Sequence, residues 1–468
     1  MKVLHISAEC YPIAKVGGLA DVVGALPKYQ NDLGNTSQVV MPFYQNKFTK
    51  NHTFSKLFEA EIYLGEALIP FQIMTLDQNT LGYDLFLVHI EGVLDTDYVY
   101  SHNDTKRFLA FQIAVLDWVK SLKNPPALIH CHDHHTGLVP FMLQESFTYK
   151  NLNKIPVVFT IHNAQYQGWF SHDLVGLIPE FDFTNVGLLD WNHQINPLAA
   201  AIKCAWKVTT VSPSYMEELK EKANGLEALL ASEHQKCVGV LNGIDTEVWN
   251  PKTDEFIVKN YTRTSVLSGK KANKKWLCET YNLDPNKPLF AFIGRLVLEK
   301  GADLFPAIFN EVLQHKDISI LLLGSGEASI EDGLIQLREN HSDVYNNYIG
   351  YDEKLSHIVY AGADFLIMPS RVEPCGLNQM YSLRYGTIPI VNNIGGLKDT
   401  ITDISKNGFG IVIPEATVNA TVDGILKAKA FYAKTEKFKD TQKYIMTIDH
   451  SWLQSAKTYQ ELYKTLIQ

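Results

Sequence analysis

Arg295 and Lys300 stand five residues apart in "GRLVLEKG", at the close of an apolar run and just ahead of Gly301. A guanidinium offers a bidentate fork and an ammonium a point charge, and the two together suit a diphosphate whose negative charge grows as it departs. At a strand end inside a cleft Arg295 reads as a ligand; on an open surface it reads as a solvated charge. A second group opens the chain, where "KVGGLADVVGALP" places Lys15 ahead of Gly17 and Gly18 at the start of a helix. Glycines there leave the first backbone N–H groups open beside the positive end of the helix dipole, an anion site that Lys15 would strengthen. The same glycines serve equally well simply to turn the chain. "IGGLKDT" (394–400) repeats the pattern, and "LGSGE" (323–327) marks another strand end without the full dinucleotide fingerprint.

Carboxylates and imidazoles supply the remaining candidates. "RVEPCGLNQMYSLRYG" puts Glu373 just after an apolar run, with Pro374 and Gly376 leading into a helix. An acid beside a phosphate-binding helix end is a mismatch unless it contacts sugar hydroxyls or a developing positive charge; otherwise it caps the first turn. "IHCHDHHTG" (129–137) crowds four histidines around Asp133 and invites a metal reading. No second ligand cluster closes such a site, and consecutive strand residues face opposite ways, so Asp133 and His135 at a strand end read instead as sugar contacts. His162 and Asn163 in "FTIHNAQYQG" occupy the same kind of position, with a satisfied structural histidine as the alternative. The Asp-x-Asp of "LDTDY" (Asp95, Asp97) is a further candidate for a divalent ion on a nucleotide diphosphate, on a pattern that chance often produces.

These groups need strand ends to hold them, and the apolar pattern supplies strands. β-branched runs alternate with helix-period segments: "KVLHIS", "QVVMP", "LFLVHI", "ALIHC", "VVFTIH", "VTTVS" and "CVGVLNG" in the first half, then "LFAFIGRL", "ISILLLGSG", "NNYIGYD", "ADFLIMPS", "IPIVNNIGG" and "FGIVIP" in the second. That is the pattern of parallel strands covered on both faces by crossover helices, an α/β class with ligands beyond the carboxyl ends of the strands. Between Trp249 and Pro288 the rhythm lapses, with Asn250-Pro251, the lysine-rich "GKKANKKW" and Asp284-Pro285, and the stretch reads as a connection between two doubly wound domains. In the opening helix Leu19, Val22, Val23 and Leu26 form the buried stripe, and Pro27 is expected to kink or restart it. The last segment places Trp452, Ala456, Tyr459, Tyr463 and Leu466 at helical spacing, a docked terminal helix.

A length of 468 residues exceeds what one core organises. A net charge of −9 argues against a general nucleic-acid binder, which needs a basic face to displace counterions. Cys10, Cys131, Cys204, Cys237, Cys278 and Cys375 lie far apart with no C-x-x-C pair, which suits reduced thiols. "MKVLHISAEC" is too polar for a signal peptide and no window spans a bilayer, so the expected setting is the cytoplasm, without a membrane partner. A nicotinamide-dependent two-domain oxidoreductase shares the sheet type, but the turn "SAECYPIAKVGG" lacks G-x-G-x-x-G.

Together "KVGGLADVVGALP", "HDHHTG", "IHNAQYQG", "VLNGID", "GRLVLEKG", "SRVEPCGLNQMYSLRYG" and "GGLKDT" resemble, in order and across nearly the whole chain, the bacterial glycogen synthase and plant starch synthase family of retaining GT-B glycosyltransferases. The resemblance implies two Rossmann-like domains facing a central cleft, 1–250 on the acceptor side and 251–450 binding the nucleotide sugar, with 451–468 returning to the first. It implies glucosyl transfer from ADP-glucose to the non-reducing 4-hydroxyl of an α-1,4-glucan such as glycogen, with UDP-glucose as the alternative donor, and neither metal nor cofactor. Carried to matching positions, Lys15, Gly17, Gly18, Arg295 and Lys300 meet the donor phosphates. Asp21 and Asp133 lie by the glucosyl or acceptor sugar, with Asn163 counted among the substrate contacts, and His162 faces the donor glucose. Glu373 contacts that glucose within the backbone of Cys375, Gly376 and Leu377, Tyr351 stacks on the base, and Asn242 lies near the domain junction. His134 and Asn378 depart from the usual Trp and Thr, and Tyr381 replaces the second acid of the wider superfamily.

Overall fold

The thirteen expected strands and two more assemble into two large sheets, and the computed structural model describes residues 1–467. In the first sheet the strands are β1 (Lys2–Ile6), β2 (Thr36–Pro42), β3 (Phe54–Leu64), β4 (Ala67–Leu76), β5 (Asp84–His89), β6 (Leu128–His132) and β7 (Val157–Ile161). A small hairpin of β8 (Asp190–Trp191) and β9 (Gln194–Ile195) stands apart, and β10 (Lys207–Thr210) and β11 (Cys237–Gly239) complete the sheet. Its order is β11-β10-β7-β6-β1-β2-β5-β4-β3, parallel except where β4 pairs antiparallel with β3 and β5. β6 and β7 are buried at every position, the mark of strands covered on both faces. The second sheet is wholly parallel: β14 (Tyr345–Ile349), β13 (Ser319–Gly326), β12 (Leu289–Leu296), β15 (Phe365–Met368), β16 (Ile388–Asn392) and β17 (Ile411–Ile413) in that order.

The chain divides into two compact units, 1–241 with the terminal segment from Trp452, and Asn242–Ser451. Residues 242–250, expected in the first domain, therefore pack with the second. Three further expectations need correction. The β3–β4 hairpin has no counterpart among the strands read from the sequence; β3 carries a charge-rich, largely exposed alternation rather than an apolar run. The stretch read as a connection holds a fifteen-residue helix, Val266–Thr280, inside the second unit. Its lysines disguise it: Lys270 is buried, with Nζ 2.7 Å from Thr387 Oγ1 and 3.3 Å from the carbonyls of Tyr360, Ala361 and Tyr385. Lys274 lies 2.6 Å from buried Asp364. Such lysines lay an apolar stem along the core and find acceptors for the head, so the composition looks like a linker while the helix is a core element. Pro27, finally, does not restart its helix, because α1 runs unbroken from Gly18 to Asp32. Burial of Val22, Leu26 and Tyr29 on both sides of the proline holds the helix where local geometry alone would release it.

The terminal helix Trp452–Lys464 packs on α1, and Trp452, Ala456, Tyr459 and Tyr463 join Val3, Val22, Leu26 and Leu128 in one buried cluster. No described helix is long and apolar enough to cross a membrane. Truncating Tyr459, 1% exposed in this cluster, to alanine is expected to cost about 3–5 kcal/mol. Scanning calorimetry should show the first unit's transition moving down and the second unit's unmoved.

Candidate active site

In the first unit the candidates gather after β1, β6 and β7, which are neighbours in the sheet. Past β1, buried Glu9 turns its carboxylate onto the glycine loop: Oε2 accepts from the amides of Val16 (2.5 Å) and Gly17 (2.9 Å), and Oε1 accepts from the Tyr100 hydroxyl (2.5 Å). Two amides expected to be open are thus already taken by an internal acid, and α1 begins beyond them at Gly18. Gly17 is extended, a conformation any residue adopts, and a Cβ at Gly17 or Gly18 would meet no atom within 4 Å. Neither backbone geometry nor packing requires glycine there. That weighs against a turn that only glycine could make. Lys15 lies 2.7 Å from Asp21, both partly exposed.

Asp133 follows β6 with φ 55° and is 8% exposed; its Oδ1 accepts from the His162 amide at 2.7 Å, and the Asn163 amide also supports it. Burial outweighs these donors and raises its carboxyl to about 7. A left-handed, desolvated aspartate at a strand end is a strained group of the kind found at working sites. His162, at the end of β7, turns Nε2 to His132 Nδ1 at 3.1 Å, and burial lowers it to about 3. Asn163 is exposed and accepts from the Gln165 amide. His135, expected to touch sugar, is instead boxed in: it is 8% exposed, stacked on Tyr100 and edge-on to Phe108. His134 fills the space over Gly168, where no side chain would fit.

In the second unit β12 and β15 are also neighbours, and their carboxyl ends bring Lys300 and Glu373 together. Lys300 Nζ lies 2.7 Å from Glu373 Oε1, while Ser370 Oγ donates to Oε2 at 2.9 Å. Glu373 is 8% exposed. It is therefore an ion-paired acid fixed at both oxygens, which the reading of it as a helix cap does not describe. Arg295 projects outward from β12, largely exposed, 3.4 Å from Glu299. Gly301, with φ 70°, sits where a side chain would strike the Pro369 carbonyl, and side chains on Gly395 and Gly396 would strike the carbonyls of Glu373 and Cys375. Those paired glycines, unlike Gly17 and Gly18, are demanded by backbone packing. Gly376 has φ 71°, Leu377 precedes the helix Asn378–Arg384, and burial pushes the Cys375 thiol up to about 12. Asn242 keeps a buried Oδ1 without a hydrogen-bond partner. Tyr351 is 83% exposed after β14. Asn378 Nδ2 donates to the Ile293 carbonyl at 2.7 Å, and Tyr381 stacks on Trp249 at 3.9 Å, so the position of the missing second acid is filled by an aromatic pair.

Glu9 and Ser370 were not among the residues singled out. Both lie just past strands beside residues that were, and that placement is the only sign of them in the sequence. Neither Asp95 nor Asp97 belongs to a metal-capable group among the described residues; the one such group is His5, His130 and His132, whose nitrogens are hydrogen-bonded to protein partners.

The starch synthase catalytic domain family matches residues 2–232, and the glycosyl transferases group 1 family matches 277–443. A glycogen synthase of Flavobacterium johnsoniae is 50% identical, with 100% of each chain aligned, and one of Anoxybacillus flavithermus is 36% identical over 100% of this chain and 98% of its own. Among solved structures, the catalytic domain of starch synthase IV from Arabidopsis thaliana, bound to ADP and acarbose, is similar with TM-score 0.87 and 31% identity, covering 100% of this chain and 99% of its own. Sucrose-phosphate synthase from Thermosynechococcus elongatus, at 17% identity and TM-score 0.63 over 99% and 98% of the two chains, shares the fold.

Two outcomes follow from this geometry. Gly18→Ala should leave thermal stability unchanged or slightly raised, since alanine suits a helix start with open space around it, yet weaken turnover at least several-fold if the loop admits a ligand. Parallel melting curves and initial rates check this. Asp133 binds its proton more tightly folded (about 7) than at the ordinary value of 3.8. Its contribution is therefore fully present below pH 4 and is lost as pH rises through 7, on the order of 1.4 kcal/mol per pH unit between. Urea unfolding of Asp133→Asn, which keeps an oxygen toward the His162 amide, should gain on the parent chain from pH 5 to pH 8. An equal difference at both pH values would refute the assignment.

Proposed function

The chain belongs to the glycogen synthase family of GT-B glycosyltransferases, and from that premise we propose that it transfers glucose, with retention, from ADP-glucose to the non-reducing 4-hydroxyl of an α-1,4-glucan. The observation that carries this reading is the Lys300–Glu373–Ser370 group at the adjacent ends of β12 and β15, with Arg295 extending from the same strand. Before donor binds, the ammonium is neutralised by the acid at 2.7 Å. An arriving diphosphate competes for Lys300, and Glu373 is then released toward sugar hydroxyls while Ser370 still orients its other oxygen. The pair thus exchanges one internal ion pair for two contacts to the donor. Arg295, weakly held by Glu299, is available for bidentate binding of the same phosphates.

Retention requires the acceptor hydroxyl to arrive on the side from which the phosphate leaves. No carboxylate is marked as a nucleophile beneath the anomeric carbon, so the departing phosphate oxygen takes the acceptor's proton and the protein supplies position and charge. Lys15, Gly17 and Gly18 are assigned to the phosphates, and Asp21, Asp133, Asn163 and His162 to sugar. Asn242, with its unpartnered Oδ1, and the backbone of Cys375, Gly376 and Leu377 complete the donor contacts, and exposed Tyr351 carries the base. The choice of ADP is supported by the ADP held in the starch synthase IV structure. All six cysteines are free thiols, which suits a reducing cytoplasm.

Nucleotide release measured with ADP-glucose and with UDP-glucose, each with and without glycogen, tests the reaction. Glycogen-dependent ADP release is expected, and a stronger UDP signal would transfer the reading to a UDP-glucose enzyme. In the same assay Lys300→Ala should lower turnover about a hundredfold, the loss of one charge-stabilising donor, and its melting curve should move down because buried Glu373 loses its ion-pair partner. Turnover within a fewfold of the parent chain would remove Lys300 from the mechanism.

A further inference from the structure

Behind His162 the first unit contains a row of imidazoles that the proposed transfer does not use. His162 Nε2 lies 3.1 Å from His132 Nδ1, His132 Nε2 lies 3.1 Å from His5 Nδ1, and His5 Nε2 lies 2.8 Å from Gln30 Oε1. His5 and His132 are fully buried, and their rings stack at 5.4 Å. Desolvation lowers His5 to about 4 and His132 well below its ordinary value, so each ring is neutral near pH 7. A neutral imidazole has one N–H and one lone pair, and the two nitrogens therefore take opposite roles.

That rule makes the row directional. The Gln30 carbonyl oxygen carries no proton, so His5 Nε2 must donate to it and His5 Nδ1 must accept. The His132 nitrogen facing it then carries the proton, which leaves His132 Nδ1 as a lone pair. His162 Nε2 must in turn donate, and His162 Nδ1 is left as an acceptor. The far end agrees with this orientation of the amide. Gln30 Oε1 also receives the Ser37 hydroxyl at 2.7 Å, while Gln30 Nε2 donates to the Tyr463 hydroxyl at 3.1 Å. Tyr463 passes its own proton to His130 Nδ1 at 2.7 Å, and His130 Nε2 donates to Thr160 Oγ1 at 2.6 Å. No two donors in this set oppose one another.

We propose that Gln30, His5 and His132 are positioning residues that hold His162 as the Nε2–H tautomer, so that it presents a lone pair at Nδ1 to a sugar hydroxyl. A hydroxyl met by that nitrogen must act as the donor. The inference rests on the assignment of His162 to the transferred glucose. The row also ties the tautomer to Tyr463 on the terminal helix, because reversing the Gln30 amide would reverse every proton between the two.

Long-range 1H–15N correlation spectra of the full chain labelled with 15N-histidine read the tautomers directly, with rings identified by the signals lost in His5→Phe and His162→Phe. Protons on Nε2 of His5, His132 and His162 are expected. A proton on His162 Nδ1, or an averaged pair of shifts, would overturn the proposal. Kinetics test the consequence. His132→Leu should lower turnover about tenfold, as for loss of one buried hydrogen bond, with the donor KM within about twofold. His132→Asn places an amide oxygen near the former Nδ1, accepts from His162 Nε2–H and should recover most of that loss. Equal turnover in the Leu and Asn chains, whether impaired or not, would show that the row does not orient His162. The spectra need no substrate, so a failure of the glucosyl-transfer reading would leave the tautomer result intact and show itself separately, as absent nucleotide release by the parent chain.

Discussion

A parallel strand buried on both faces has no room for charge along its length, and the first residues past its carboxyl end are the first that can carry one. Both units obey this constraint. β6 and β7 are fully buried, and Asp133 and His162 follow them directly. β15 is likewise buried throughout and β12 over its first four residues; Arg295 stands exposed near the end of β12, and Lys300 and Glu373 follow a few residues beyond the two strands. Sheet order then decides which ends are neighbours, so residues far apart in sequence meet because their strands pair.

Desolvation sets the character of the groups that collect there. It makes Asp133 hold its proton to about 7 and keeps the imidazoles behind it neutral. At Glu373 an ammonium and a hydroxyl each meet one of the carboxylate oxygens. The first unit sets neutral imidazoles beside the Lys15–Asp21 pair, and the second sets the Lys300–Glu373 pair beside an exposed guanidinium.

The strands of both sheets were legible wherever they were apolar, since β-branched runs of four to eight residues leave little alternative inside an α/β chain. The β3–β4 hairpin was not, because exposed strands such as "FSKLFEAEIYL" owe their pairing to a partner and not to their own apolarity. The helix Val266–Thr280 was hidden by lysines whose acceptors come from segments a hundred residues away. In the site, the types and spacing of Arg295, Lys300 and Glu373 pointed to phosphate and sugar, whereas Ser370 and Glu9 emerged only with coordinates. A serine or a lone glutamate after a strand is too common to single out. The two pairs of glycines looked alike in sequence and differ in cause: Gly395 and Gly396 are compressed against backbone, while Gly17 and Gly18 face open space.

The first unit is discontinuous, drawing its last helix from the end of the chain. During synthesis residues 1–241 emerge without Trp452, Tyr459 and Tyr463, and the whole of the second unit is translated before those side chains leave the ribosome. Until they do, α1 keeps an uncovered apolar flank, and Gln30 and His130 wait for the phenol that completes their hydrogen bonds. The unit made first is therefore the last to mature, and a chain cut short anywhere in the second unit leaves a half-finished core for the cell's quality control to recognise.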